Sequence, residues 1–136
     1  MDCPFCHPDP ARVLVEREEA LALLDAYPVS PGHALVVTRR HVRDWFAASR
    51  AERLAVMDLL DEVRALLDAR HHPDGWNIGA NVGAVAGQTV FHLHVHLIPR
   101  YRGDLDDPAG GVRLVRPERG NWRRPGFVPH IPMGAD

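Results

Sequence analysis

Three histidines, His92, His94 and His96, alternate with Leu93 and Val95 in the segment FHLHVHLIPR. Imidazole suits metal ligation, proton transfer and nucleophilic attack, because an ordinary pKa of about 6.5 leaves a lone pair available near neutral pH. Side chains alternate across a strand, so the three imidazoles share one face while Phe91, Leu93, Val95 and Leu97 share the other, beneath a helix. Neighbouring Cα atoms in that row lie roughly 6.6 Å apart, and the outer pair about 13 Å apart, at a rise of ~3.3 Å per residue. One tetrahedral zinc with Zn–N near ~2.1 Å takes two such neighbours and is stretched to take three. The row therefore points away from a three-histidine metal site. Just upstream, GAVAGQT sets Gly87 before Gln88 and Thr89. Gly87 permits close approach of the backbone, and the N–H groups of Gln88 and Thr89 can then meet an anion. An imidazole row beside an anion cradle suggests phosphorus chemistry, with one histidine as nucleophile and a neighbour serving the leaving group.

These residues need elements to hold them. RVLVERE and ALALLDAYP read as two strands joined at the acidic cluster Glu16, Glu18 and Glu19, and HALVVTRR as a third, central strand. Val42 to Ala48 reads as a helical turn. A long helix is predicted from about Arg50 to Arg70: Ser49 and Glu52 form a capping box, and Leu54, Met57, Leu60, Val63 and Leu67 form an apolar stripe assigned to the core. Pro73 and Gly75 end it. WNIGANVG reads as the fourth strand, AVAGQ as a loop, and TVFHLHVHLIPRY as a fifth strand stopped at Pro99. Strands, one long helix, then more strands predict an α+β fold, with an antiparallel sheet covered by the helix on one face and its other face left for a site.

The composition narrows the functional classes. The 136 residues and 15.2 kDa fit a single domain, 1–136, with an irregular Gly/Pro/Arg-rich tail from about 102. A hydrophobic fraction of 46% and a charged fraction of 25% are those of a globular chain. A formal charge of −2 argues against nucleic acid as partner, and leaves small anionic ligands open. The chain lacks an apolar run of the ~18 residues that spanning needs, so no membrane partner is expected, and the N-terminus MDCPFCHPDP does not resemble a signal peptide; a cytoplasmic location is expected. Cys3 and Cys6 are the sole cysteines, and in a reducing compartment such a pair fits a metal or redox motif better than a staple.

HLHVHLIPR, together with DAYPVSPGHALVVTRRH and WNIGANVGAVAGQTV, resembles the histidine triad (HIT) family over roughly residues 3 to 101. The resemblance implies a HIT-like fold with a five-stranded antiparallel sheet, a homodimer, and a nucleotide hydrolase or nucleotidyl transferase. It gives His94 the role of nucleophile at the α-phosphorus, His96 that of an assistant at the phosphate and leaving group, and His33 that of a fourth active-site histidine. Asp25 matches the acidic residue that binds ribose hydroxyls, and Asn81, Gln88 and Thr89 match positions contacting phosphates or the leaving portion. Relatives with phosphorylase or uridylyltransferase activity carry Gln at the third histidine, so His96 favours hydrolysis. Phe91 departs from the Lys found there in some dinucleoside triphosphate hydrolases, which leaves the substrate open between a dinucleoside polyphosphate and a nucleoside phosphoramidate.

A CxxC pair alone is compatible with zinc, redox chemistry or chance. The resemblance extends to a subset of HIT proteins that bind structural zinc through four positions, here Cys3, Cys6, His41 and His92, a Cys₂His₂ set that closes a tetrahedron. His7 is a rival ligand too near Cys6, while His71, His72 and His130 read as solvated. A polyphosphate substrate would bring Mg²⁺ with it. Arg113, Arg116, Arg119, Arg123 and Arg124 read equally as distal-phosphate contacts or a solvated run, and Trp122 as an aromatic reaching a neighbouring site in a dimer. Two other functions stand beside the hydrolase: a zinc-dependent metallohydrolase using metal-bound water, and a nucleotide-binding regulatory protein with little turnover.

Overall fold

The computed structural model describes residues 3–129. The chain divides into two compact units, Met1–Tyr101 and Arg102–Asp136. In the first, strands β1 (Val13–Glu16), β2 (Ala20–Leu24), β3 (Ala34–Thr38), β4 (Gly75–Gly79) and β5 (His94–Arg100) form one antiparallel sheet in the order β1-β2-β3-β5-β4. The single long helix, α1 (Arg50–His71), covers one face. This is the α+β, five-stranded antiparallel architecture expected from the sequence.

Alternation divides the strands cleanly. Ala20, Ala22, Ala34, Val36, Val95 and Leu97 face α1 and are buried with Val56, Leu59, Val63 and Leu67. Leu21, Leu23, Leu35 and Val37 face the opposite side, where Phe5 of the N-terminal segment covers them. Both faces of the central strands are thus dry. The buried stripe of α1 runs through Glu52, Val56, Leu59, Val63 and Leu67, and this corrects the stripe read from the sequence. Leu54 and Met57 are about half exposed, and Leu60 only edges the core. The helix carries more apolar positions than one face can bury, and periodicity alone does not choose among them.

The capping box at Ser49 and Glu52 forms as expected, and Glu52 does more than cap. Its buried carboxylate also accepts two bonds from Arg40, at 2.7 and 3.2 Å, tying the segment after β3 to the start of α1. Glu52→Ala removes both connections and is expected to lower unfolding free energy on the order of 2 kcal/mol in urea titrations. A loss within error would mean that the Arg40 tether contributes nothing.

Both ends of β5 depart from expectation, and β4 closes at Gly79 rather than reaching Gly83. β5 begins at His94, not near Thr89, because its partner β3 ends at Thr38 and offers no further backbone to pair. Leu93 instead donates to the Val42 carbonyl at 2.7 Å, and Phe91 is partly exposed rather than under the helix, with the Arg43 guanidinium over its ring. β5 also continues through Pro99, which lies opposite Trp76 of β4. The helical turn expected between Val42 and Ala48 is a 3₁₀ turn over Trp45–Ala47.

In the second unit, where an irregular tail was expected, a 3₁₀ helix (Gly111–Val115) leads into the one-turn helix α2 (Pro117–Gly120). Asp107 gathers it by accepting from Asn121, Arg123 and the Ala109 amide. Arg113, Arg116 and Arg123 bond within this unit, and Arg113 also lies over the Trp122 ring.

Candidate active site and metal centre

β5 places His94 and His96 on the face away from α1, opposite Val37 and Leu35 of β3. The N-terminal segment lies over that face. Phe5 is buried there, its ring 4.8 Å from the His94 ring and edge-on to His92 at 5.9 Å. Sequence reading missed Phe5. Its signal was available: a residue between two ligating cysteines must pack where those ligands are anchored.

Cys3, Cys6, His41 and His92 come together, with all four ligand atoms within 4.8 Å of one another. His92 Nδ1 is 3.4 Å from Cys3 Sγ and 3.5 Å from Cys6 Sγ, and Cys6 Sγ is 3.2 Å from His41 Nδ1. Ligand separations of roughly 3.5 Å are those of a tetrahedral site with Zn–S near ~2.3 Å and Zn–N near ~2.1 Å. The second shell agrees: His92 Nε2 is 2.6 Å from the Thr38 carbonyl, which can only accept, so the ring hydrogen sits on Nε2 and the Nδ1 lone pair faces the sulfurs. The residues present fit a Cys₂His₂ metal site. His7 stays outside the group, His71 and His72 are exposed, and His130 lies outside the described residues.

A second cluster, Asp25, His33 and His96, lies in the adjoining cleft. His33 Nε2 is 2.9 Å from His96 Nδ1 and 3.4 Å from Asp25 Oδ2. Here the second shell has the opposite sense, since His33 Nδ1 accepts from the Val29 amide at 3.1 Å. A metal on Nε2 would leave that ring with no hydrogen at all, an imidazolate. This cluster is a hydrogen-bonded network and not a metal site. The turn holding it needs Gly32, whose φ of +87° disfavours a side chain and whose added Cβ would come within 2.8 Å of the His71 ring.

His94 Nδ1 is 2.8 Å from the His92 carbonyl, so Nδ1 carries the hydrogen and Nε2 the lone pair. The ring lines a cleft of about 450 Å³ together with Asp25, His33, Asn81, Thr89 and His96. Gly87 also lines it with φ +95°, and Asn81 sits beside it. Arg12, Tyr27 and Val29 are among the further lining residues and were not foreseen. Gln88 departs from the expected phosphate contact. Its backbone N–H donates to Gly83, its Oε1 accepts from the Gly83 amide, and its Nε2 donates to the Arg43 and Val90 carbonyls, so a buried side chain braces the loop from within.

A sequence profile described as "HIT domain" matches residues 8–103. The chain belongs to the HIT family. An uncharacterized HIT-like protein of Mycoplasma genitalium is 42% identical over 86 residues, 63% of this chain, which spans 61% of that relative's length. An AP-4-A phosphorylase of Mycobacterium tuberculosis is 33% identical over 97 residues, covering 69% of this chain and 50% of that protein. Among solved structures, a hypothetical histidine triad nucleotide-binding protein of Sulfolobus tokodaii superposes with a TM-score of 0.70 at 34% identity, covering 77% of this chain and 73% of its own. The CxxC pair and its two histidines are consistent with the zinc-binding subset of the HIT family. Among the described residues, no helix is long and apolar enough to cross a membrane.

Burial gives the HIT site a pH signature. Desolvation pushes His96 down to about 4, with the charges of His94 and His33 adding and Asp25 opposing; desolvation likewise lowers His33, against the pull of Asp25. Both rings resist protonation more when folded, whereas in the unfolded chain they take up protons from about pH 6.5. The stability is therefore present above pH 6.5 and lost as pH falls towards 4, by at most about 3 kcal/mol for His96. Denaturation of metal-loaded protein at pH 7.5 and 5 should reveal this slope, and His96→Gln should reduce it. An unchanged slope in the variant would assign the acid sensitivity elsewhere.

Proposed function

We propose that this HIT protein is a nucleotide hydrolase that cleaves at the α-phosphorus of a dinucleoside polyphosphate or nucleoside phosphoramidate through a nucleotidyl-histidine on His94. One observation carries this reading: the His92 carbonyl holds the His94 hydrogen on Nδ1 and leaves the Nε2 lone pair on a ring that lines the cleft. That ring is a nucleophile needing no base. Attack forms a bond from Nε2 to phosphorus and breaks the bond to the leaving group. Water then attacks phosphorus, returns the electron pair to Nε2 and releases a proton to solvent.

The other lining groups have roles consistent with their places. Asp25 Oδ1 accepts from the Tyr27 amide and Oδ2 stands by the histidines at the cleft, available to ribose hydroxyls. Asn81, Gly87 and Thr89 bound the phosphate region, and His33 and His96 the reacting centre. The AP-4-A phosphorylase likeness supports a dinucleoside polyphosphate, and a histidine at the third triad position, which the family resemblance associates with hydrolysis, supports water as acceptor. Cys3, Cys6, His41 and His92 would hold structural zinc, which supplies a cross-link between the N-terminal segment and the sheet. Four filled positions leave no open site for a metal-bound water, which disfavours the metallohydrolase. Two cysteines serving as metal ligands rather than as a disulfide fit a reducing cytoplasm, and exposed Leu54 and Met57 on α1 and Ile78 on edge strand β4 offer apolar surface for a homodimer.

Stereochemistry tests the mechanism. Two displacements at phosphorus retain configuration and one inverts it, so a substrate made chiral at the α-phosphorus with sulfur and oxygen isotopes should yield nucleotide of retained configuration. Inversion would exclude the covalent intermediate.

A further inference from the structure

The charges of the second unit are sorted along the chain. Asp104, Asp106 and Asp107 precede Pro108, and from there to Pro129 five arginines stand against one acid, Glu118, a local formal charge of +4 that the −2 of the whole chain conceals. The charge argument that sets nucleic acid aside for the chain as a whole therefore does not reach this segment. Arg116 is neutralised by Glu118 at 2.6 Å and Arg123 by Asp107 at 3.0 Å. Among the described residues, no carboxylate stands within ion-pair distance of Arg113, Arg119 or Arg124. Three cations are left without a counter-charge of their own.

Two of those cations are paired with rings. Arg113 Nε donates to the Gly120 carbonyl at 2.9 Å and its Nη2 to the Arg119 carbonyl at 3.2 Å, which holds the guanidinium over the half-exposed Trp122 ring, 5.6 Å from the centroid. Gly110, at φ +98°, lets the Gly120 carbonyl approach, because a Cβ there would collide with it. The Arg119 guanidinium lies over the Phe127 ring at 4.5 Å. Arg113 and Arg119 also line one shallow concavity of about 420 Å³ with Phe127 and Pro129. A guanidinium carries five N–H donors and Arg113 has committed two, so donors remain for an incoming anion. Among the described residues, the concavity is lined by no nucleophile, acid or base, so it can hold a ligand and not transform it.

Guanidiniums without a carboxylate attract phosphate and match its oxygens in pairs. Aromatic rings and guanidinium planes accept stacked bases whatever their identity. Arg113 with Trp122 and Arg119 with Phe127 repeat the same pairing of cation and ring, and Arg124 adds a further cation. A repeated pairing fits a chain of nucleotides better than a lone one, and stacking on it requires bases free of a duplex. We propose that the unit carrying α2 is a docking surface for single-stranded nucleic acid, with phosphates on Arg113, Arg119 and Arg124 and bases against Trp122 and the Arg119–Phe127 pair. Contacts to backbone and base faces carry no base code, so the surface binds without reading sequence. It uses no residue of the histidine cleft and stands or falls apart from the hydrolase reading.

The test uses the metal-loaded full chain and a fluorescently labelled DNA strand of mixed sequence. Anisotropy titrations are expected to give a Kd on the order of 10 µM at low salt, weakening steeply as salt rises, with the same strand in a duplex at least about 5-fold weaker. Arg119→Gln and Trp122→Ala are each expected to weaken binding about 5-fold or more, Trp122→Phe by less than about 2-fold, and Arg17→Gln, on the first unit, not at all. Trp122→Ala removes a ring and no charge. Binding equal to wild type in that variant would reduce the effect to diffuse charge and overturn the proposal, as would no binding at low salt or a duplex bound as tightly as the strand. Should a variant unfold the unit, NMR of the wild type decides. Adding the strand is expected to move the Trp122 indole signal and the Arg113 and Arg119 side-chain signals and to leave the His94 ring in place. Shifts confined to the cleft, or binding to phosphatidylserine vesicles and not to the strand, overturn it.

Discussion

His94→Ala is expected to lower turnover by at least about 10⁴-fold while bound metal stays at its wild-type level, because removing a covalent nucleophile leaves only binding and electrostatic stabilisation. His94 is not among the four ligand positions, so its loss should not empty the metal site. Folding should weaken by only about 1–2 kcal/mol, from the contacts its ring makes with Phe5 and His96. Turnover and elemental analysis on the same preparation make the comparison. Activity surviving with metal in place would mean that another group attacks phosphorus, and joint loss of metal and activity, with activity returning on added zinc, would restore the metallohydrolase reading.

The second large effect is expected at Cys6. Its sulfur is in contact with the Nδ1 atoms of both His41 and His92, so Cys6→Ser disrupts the set at its most connected ligand. The proposed structural zinc would bind the folded chain and not the unfolded one, so its loss should subtract several kcal/mol of stability. A fall in Tm of about 10 °C or more is expected for a chain of this length. Measured with and without a chelator, wild type should fall towards the variant and the variant should barely move. A variant that melts like metal-loaded wild type would end the structural-metal assignment.

Much of this site can be read from residue types and spacing, and what cannot is instructive. The alternation of His94 and His96 opposite Val95 and Leu97 places them on the right face, since period-2 geometry needs only a strand. His92 escapes that logic: it precedes β5, and what sets its ring is the Thr38 carbonyl, which only the end of β3 provides. The capping box is legible because Ser49 and Glu52 lie within one turn, whereas the Arg40 bond to Glu52 crosses between elements. Gln88 shows the limit most clearly. A Gln after a glycine suggests a ligand contact, and only the folded loop reveals that its polar atoms are used on Gly83, Arg43 and Val90. Tautomers were beyond sequence for the same reason, because each is dictated by a backbone group brought in from elsewhere.

His92 has one further consequence. Its ring belongs to the Cys₂His₂ group, and its carbonyl orients the ring of His94. A change at the proposed metal would therefore reach the proposed nucleophile within a single residue, with no chain of packed side chains to dilute it. If the four ligands hold a metal as proposed, the ring resonances of His94 should register its occupancy directly, before any product is formed.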